Sequence, residues 1–105
     1  MEYVSFVLKI DPANAAEYRK RHGRVDPELE AQFRVNGIRR YHIFYHDDGT
    51  LFAFMEVENF EKAMQALAEH PANARWQKFM SDLLLDWENG GKVKVIPEVY
   101  RFTSE

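Results

Sequence analysis

The sequence predicts an α+β fold in which strands and helices follow one another in the order β-α-β-β-α-β. Three observations predict it: segments rich in β-branched and aromatic residues, segments with apolar residues at helical spacing, and Pro, Asn and Gly signals between them. A chain of 105 residues with 46% hydrophobic residues can bury one core without disulfides or metals. We therefore expect a single domain over residues 1–105.

The first strand and the first helical region are predicted within residues 3–36. Large apolar side chains occupy every second position of residues 3–10, which is typical of a strand with one buried face. Asp11-Pro12 is a helix start signal, and residues 13–22 are rich in helix formers. Gly23 interrupts this run, Asp26-Pro27 restarts it, and Asn36-Gly37 ends it. The pattern predicts either one kinked helix or two.

The second half of the pattern begins with a hairpin. Residues 38–46 and 50–57 alternate bulky and polar side chains, and the intervening 47–49 segment ends in Asp-Gly. Asn59 then caps a helix whose apolar residues recur at i, i+3, i+4, i+7 and i+8 from Phe60. Pro71 opens a further helix that we expect to extend through Leu84 and to break at 89–91. A last strand is predicted over 92–102, with Pro97 indicating an edge position or a bulge.

This order is that of the ferredoxin-like split βαβ fold, an antiparallel sheet with helices on one face. Both faces of the predicted sheet carry large apolar groups: Phe44 lies on the opposite face from Ile43 and Tyr45, and Phe52 and Phe54 lie opposite Leu51, Ala53 and Met55. One helical layer cannot cover both faces. We therefore expect a homodimer in which a second copy covers the open face.

Composition and charge exclude several functional classes. The chain has no cysteine, so disulfides, thiolate metal sites and a cysteine nucleophile are ruled out, and a reducing, cytoplasmic location is expected. Its net charge is −3 without a long basic run, which disfavours nucleic acid as a partner. No apolar stretch approaches the roughly 20 residues that span a bilayer, and the N-terminus does not resemble a signal peptide, so no membrane partner is expected.

Among the four histidines, His22 is the candidate acid/base residue. Tyr18 stands four residues before it, so both side chains project from one side of a helix, and an imidazole beside a phenol can give and accept protons near neutral pH. The same pair can equally form an ordinary amphipathic surface. His42 and His46 would be about 13 Å apart on a strand, so we expect no metal site there. His70, before Pro71, is expected to cap the end of a helix as a cation.

Three further residue groups allow more than one interpretation. Trp76 fits the apolar stripe of its helix and is expected in the core, but an indole at the mouth of a pocket also suits the C–H face of a sugar. Tyr41 on the second strand can face either side of the sheet. The basic run Arg19-Lys20-Arg21 is typical of a solvated face, and we assign it no chemistry.

At this point several motifs together resemble the L-rhamnose mutarotase family. The resemblance runs from the first strand to the last, and these motifs carry it: Asp11-Pro12, Glu17-Tyr18-Arg19-Lys20-Arg21-His22, Pro27-Glu28-Leu29, Gly37-Ile38, Tyr41-His42-Ile43, Leu51-Phe52-Ala53 and Arg75-Trp76-Gln77-Lys78-Phe79-Met80. The resemblance implies a dimeric ferredoxin-like enzyme, an isomerase that interconverts the α and β anomers of a free sugar without a cofactor.

The resemblance also implies roles for individual residues. His22 matches the family's acid/base residue, whereas Tyr18, Tyr41 and the pair Trp76-Gln77 match positions that line the sugar pocket. The resemblance favours L-rhamnose as the sugar. Gln77 and Asp26 stand where the family usually has tryptophan, so L-fucose or another hexose is kept as an alternative. Two other classes remain as alternatives: a cofactor-free ferredoxin-like monooxygenase acting on aromatic compounds, and a non-catalytic ligand-binding module.

Overall fold

An antiparallel sheet forms one layer of the protein in a computed structural model, which describes residues 1–87 and 91–104. Its strands are β1 (Glu2–Ile10), β2 (Ile38–Tyr45), β3 (Thr50–Val57), β4 (Leu84–Leu85) and β5 (Lys94–Ile96). The order across the sheet is β2-β3-β1, and the two short strands β4 and β5 both pair with the free edge of β1. This arrangement confirms the predicted antiparallel split βαβ topology.

Within residues 1–87 and 91–104, four α-helices cover one face of this sheet: α1 (Ala15–Arg21), α2 (Pro27–Val35), α3 (Phe60–Ala68) and α4 (Pro71–Met80). A 3₁₀ turn at His22–Arg24 separates α1 from α2, so the first helical region is two helices rather than one kinked helix. Three of the predicted start signals act as caps. The Asp11 side chain accepts from the Ala13 amide at the short 3₁₀ turn before α1. The Asp26 side chain accepts from the Glu28 amide, and that of Asn59 accepts from the Lys62 amide.

The core lies between the helices and the covered face of the sheet. Side chains of β3 that point toward the helices are almost fully buried, among them Leu51, Ala53 and Met55. The intervening Phe52 and Phe54, together with Phe44 on β2, are exposed on the opposite face. On β2 and β3 the predicted division into a covered and an open face is therefore confirmed, whereas Val7 of β1 pairs with Phe52 on the open face and is nevertheless buried.

The hairpin between β2 and β3 depends on Gly49. Its φ of 97° lies in the left-handed region, and a Cβ there would stand 2.2 Å from the carbonyl oxygen of Ile10. The Gly49 carbonyl in turn accepts a 2.8 Å hydrogen bond from the Ile10 amide. The predicted Asp-Gly turn thus also joins the hairpin to the end of β1.

The last quarter of the chain departs from the prediction. The helix expected to reach Leu84 ends at Met80, because Leu84 pairs with Ile10 as part of β4. The apolar spacing is helical, but the edge of β1 offers backbone hydrogen bonds that override it. Of the strand expected over 92–102, only Lys94–Ile96 pairs, and Pro97 follows at once without a backbone N–H to continue the ladder. The break expected at 89–91 lies mostly outside the described residues.

His70 also differs from its prediction. It is the N-cap of α4 rather than a cation at the end of α3, and its Nδ1 accepts a 3.0 Å hydrogen bond from the Ala72 amide. Only an unprotonated nitrogen can accept, so the ring acts through its lone pair. None of the helices in the described part of the chain is long and apolar enough to span a membrane.

Candidate active site

A cavity of about 610 Å³ opens between the helices and the covered face of the sheet. Its volume falls within the roughly 300–1,000 Å³ range of small-molecule sites. All five residues predicted for the site line it: Tyr18, His22, Tyr41, Trp76 and Gln77. Most of the remaining lining is apolar, so polar contacts to a ligand come from a small number of groups.

His22 lies where α1 gives way to the 3₁₀ turn, and its ring is half-buried. Its Nδ1 stands 3.1 Å from the backbone carbonyl oxygen of Tyr18. Because a carbonyl can only accept, this hydrogen bond requires the proton on Nδ1. In the neutral ring Nε2 is then the unprotonated nitrogen, which is available to accept a proton.

Aromatic rings hold the imidazole on two sides. The Tyr18 ring stacks on it with centroids 4.4 Å apart and planes 30° from parallel. The Trp76 indole approaches it at 5.1 Å and 87°, an edge-to-face arrangement. The predicted Tyr18–His22 pair is therefore present in the structure, and a residue from a different helix completes it.

Two of the three phenols that line the cavity, those of Tyr18 and Tyr41, differ from an exposed tyrosine in their acidity. Burial, with a smaller contribution from the nearby Tyr41, raises the pKa of Tyr18 well above its ordinary value. Burial raises the pKa of Tyr41 to about 12. Both hydroxyls are thus neutral at physiological pH and can donate and accept hydrogen bonds, but neither is a phenolate base.

The structure decides between the two interpretations of Tyr41 and combines the two interpretations of Trp76. Tyr41 faces the helices, with its ring 6.0 Å from Phe6 and 5.7 Å from Phe33, and it borders the cavity at the same time. Trp76 is half-buried against the core and also borders the cavity. Gln77, the next residue on α4, is exposed and brings an amide to the cavity wall.

Asp26 serves the scaffold rather than the cavity. Besides capping α2, its carboxylate lies 3.4 Å from the Arg75 guanidinium, which also contacts Glu28 at 2.8 Å. Hydrogen bonds to Asp26, and then to Glu28, raise the pKa of Arg75. The polar residue at position 26 therefore links the start of α2 to α4.

Sequence reasoning missed several polar residues that line the cavity: Arg19, Glu30, Tyr45, Asn73 and Lys92. Asn73 could have been found, because it lies three and four residues before Trp76 and Gln77 on the same helix. Arg19 was expected on a solvated face, yet it reaches the cavity although it is exposed. Lys92 gives no local signal, since only the fold brings it near the site.

The other histidines lie away from the cavity. His42 is exposed on the open face of the sheet, with its ring 6.2 Å from that of Phe44. His46 is exposed in the hairpin, 3.1 Å from the carboxylate of Asp48. Within residues 1–87 and 91–104 no group of three or more His, Asp or Glu side chains is arranged to hold a metal ion.

Residues 3–102 match the model of a protein family described as L-rhamnose mutarotase. The chain belongs to the L-rhamnose mutarotase family. It is 41% identical over 85 residues to the L-rhamnose mutarotase of Acidiphilium cryptum, covering 80% of this chain and 81% of that one. It is 34% identical over 103 residues to the L-rhamnose mutarotase of Listeria monocytogenes, covering 95% and 97%. The predicted family is confirmed, and with it the enzyme class, an isomerase that interconverts anomers.

Solved structures agree with this membership. The crystal structure of an L-rhamnose mutarotase from Formosa agariphila superimposes with a TM-score of 0.84 at 28% identity, covering 98% of this chain and all of that one. A tetracenomycin F2 cyclase from Streptomyces glaucescens reaches a TM-score of 0.64 at 22% identity over the full length of both chains. A putative antibiotic biosynthesis monooxygenase from Nitrosomonas europaea reaches 0.62 at 14%, covering 90% and 85%. The last two likenesses show a shared fold alone.

Proposed function

We propose that this protein interconverts the α and β anomers of L-rhamnose, with His22 as the acid/base residue. The observation that carries the proposal is the position of the His22 ring at the wall of the cavity. There Nδ1 is engaged by the Tyr18 carbonyl and Nε2 is left to exchange a proton. Membership of the L-rhamnose mutarotase family supports the choice of sugar.

The reaction moves one proton between two oxygens that are both bonded to C1. Nε2 takes the proton from the anomeric hydroxyl as the C1–O1 double bond forms and the bond from C1 to the ring oxygen breaks. The imidazolium then gives that proton to the ring oxygen, which leaves an open-chain aldehyde and a neutral imidazole. Rotation about C1–C2 and the reverse transfer close the ring on the opposite face of the carbonyl. This chemistry calls for proton transfer only, so no cofactor is part of the proposal.

The cavity lining suits a 6-deoxy sugar. Trp76 offers an indole to the C–H groups of the pyranose, and the neutral hydroxyls of Tyr18 and Tyr41 can hydrogen-bond the sugar hydroxyls. The amide of Gln77 adds a donor and an acceptor at the wall. The predominantly apolar remainder favours a methyl group at C5 over the hydroxymethyl group of an unmodified hexose. L-fucose, also a 6-deoxy sugar, is the competing substrate.

Anomer exchange measured by saturation-difference NMR on L-rhamnose, L-fucose and D-glucose tests the proposal. We expect the fastest exchange with L-rhamnose, and a loss of roughly 10²- to 10⁴-fold in the His22→Asn variant. His46→Asn, which removes an exposed histidine away from the cavity, is the matched control and should keep full activity. Exchange that survives His22→Asn would refute the role of His22.

Two further measurements distinguish the two alternative functions from the proposed one. A binding module would bind sugar saturably without accelerating exchange. A monooxygenase would consume oxygen with an electron-rich aromatic substrate. The fold likeness to monooxygenases below 25% identity does not favour that chemistry, and no other observation does.

We further propose a homodimer formed through the open face of the sheet. Phe44, Phe52 and Phe54 are 62%, 42% and 36% exposed there, and Tyr3 stacks on Phe54 at 6.3 Å to extend the aromatic surface. Burying this surface against a second copy would remove it from water.

We also propose a cytoplasmic location. This proposal rests on the composition alone, chiefly on the lack of cysteine.

A further inference from the structure

Arg21, the residue before His22, makes an unusual number of contacts for a side chain at the end of a short helix. Its Nη1 donates to the Asp82 carboxylate at 2.7 Å and to the Phe79 backbone carbonyl at 2.8 Å, and Nη2 donates to the second Asp82 oxygen at 3.2 Å. Its Nε donates to Glu17 at 3.3 Å. The Arg21 side chain is only 17% exposed, whereas that of Asp82 is 65% exposed.

Together with two aromatic contacts, they form a closed ring of neighbouring residues: Arg21, Phe79, Trp76 and His22. The Arg21 guanidinium lies 4.9 Å from the centre of the Phe79 ring, and the Phe79 ring lies 5.7 Å from Trp76. Trp76 in turn meets His22 at 5.1 Å, and His22 is joined to Arg21 by the peptide bond. Two sets of contacts thus connect the end of α1 to the end of α4. One is the His22–Trp76 contact, which borders the cavity, and the other is the set of contacts between the Arg21 guanidinium and Phe79.

Local contacts with Tyr18 orient the His22 ring, but the helix that carries both residues is short. Helix α1 has seven residues and passes at His22 into a 3₁₀ turn, so the imidazole sits on a short element at its least regular point. A bidentate guanidinium–carboxylate pair restricts orientation as well as distance, because the two planar groups must face each other. The Arg21 hydrogen bond also lowers the pKa of the Asp82 carboxyl, so the pair remains charged.

We propose that Arg21 and Asp82 form a positioning pair that holds His22 against Trp76. Only the expected effect of this pair on catalysis depends on the proposed function. The pair does not line the cavity and carries no proton in the reaction. The pair acts by fixing the distance between His22 and Trp76, which do border the cavity. An error on the order of 1 Å in the position of a catalytic group can lower the rate about 100-fold.

The contact itself can be measured without any sugar. The chain has two tryptophans, so Trp87→Phe leaves Trp76 as the single indole. A protonated imidazole quenches an adjacent indole, and histidine changes charge between about pH 5 and 8. We expect Trp76 emission to fall as the pH is lowered, and this change to vanish in His22→Asn.

Two variants in this background then test the pair. Arg21→Lys keeps the charge but loses the planar fork, and Asp82→Asn removes the partner's charge at an exposed position where folding is at little risk. Both should reduce the pH-dependent change in Trp76 emission by at least about half, and should lower kcat about 10- to 100-fold with a smaller change in KM. Arg39→Lys, which alters an Arg–Glu pair outside the cavity, is the matched control and should change neither.

The outcomes separate this inference from the proposed function. If both variants keep the full emission change and the wild-type kcat, the positioning role is refuted. If Trp76 emission in the Trp87→Phe background does not change with pH, the positioning role is refuted as well, because His22 would then not contact Trp76. If no variant, including the wild type, accelerates anomer exchange, the proposed function fails. The emission measurements still decide whether Arg21 holds His22 in place.

Discussion

The imidazole of His22 stacks on the phenol ring of Tyr18 at 4.4 Å, and the backbone carbonyl of Tyr18 accepts the hydrogen bond from His22 Nδ1. Tyr18 therefore orients the imidazole through its ring and its main chain rather than through its hydroxyl. One turn of helix separates the two residues, so the sequence spacing itself creates this contact.

This geometry predicts that Tyr18→Phe retains catalysis. The variant keeps the stacked ring and the carbonyl, so kcat should remain within about tenfold of wild type while KM rises through the loss of one hydrogen bond to the sugar. Tyr18→Leu, which removes the ring, is the contrasting variant and should lose considerably more kcat. Anomer-exchange NMR over a range of L-rhamnose concentrations measures both. A Tyr18→Phe variant as inactive as His22→Asn would instead make the hydroxyl a proton carrier.

Burial of the phenols predicts a loss of stability at alkaline pH. An unfolded tyrosine ionises near pH 10, whereas burial raises the pKa of Tyr41 to about 12. The folded state therefore resists ionisation, and its stability should be full below about pH 10 and decline as the pH rises toward 12. Thermal unfolding of wild type and Tyr41→Phe across this range should show a shallower decline in the variant. Tyr100→Phe, at an exposed position, is the control, and equal slopes in all three proteins would contradict the prediction.

The surroundings of Gly49 and Gly23 predict different effects on stability when each is replaced by alanine. Gly49→Ala places a Cβ against the Ile10 carbonyl at a positive φ, so it should destabilise the protein by about 1–3 kcal/mol. Gly23→Ala meets no atom within 4 Å of the added Cβ and should be neutral or stabilising by up to about 1 kcal/mol. Urea unfolding monitored by circular dichroism gives both values. Equal midpoints for the two variants would show that the turn tolerates a side chain.

The open face of the sheet predicts a change of oligomeric state. Phe44→Glu places a charge within the exposed aromatic surface and should convert a dimer into monomers in sedimentation velocity. Val35→Glu adds the same charge at a position on α2 that is 75% exposed, and it should leave the dimer intact. A wild-type protein that sediments as a monomer would refute the proposed interface.

Much of the fold could be predicted because its signals are local. The alternation in β1, the Asp-Gly turn at Gly49 and the caps at Asp26 and Asn59 each act within a few residues, where backbone geometry decides the outcome. The prediction was wrong where a local pattern competed with a distant partner. By its spacing Leu84 continues the apolar stripe of α4, yet it pairs with the edge of β1 opposite β3 and forms part of β4.

The candidate site divides in the same way. The spacing of Tyr18 and His22 was sufficient to bring them together, because a helix turns once in about 3.6 residues and places such pairs on one side. No spacing relates His22 to Trp76, Arg21 to Asp82 or Lys92 to the cavity. These residues lie on different elements, and their contacts arise only when the helices pack on the sheet. The sequence by itself thus determined most of the elements and the imidazole–phenol pair, whereas packing between distant segments decided β4, the cavity and the surroundings of the imidazole.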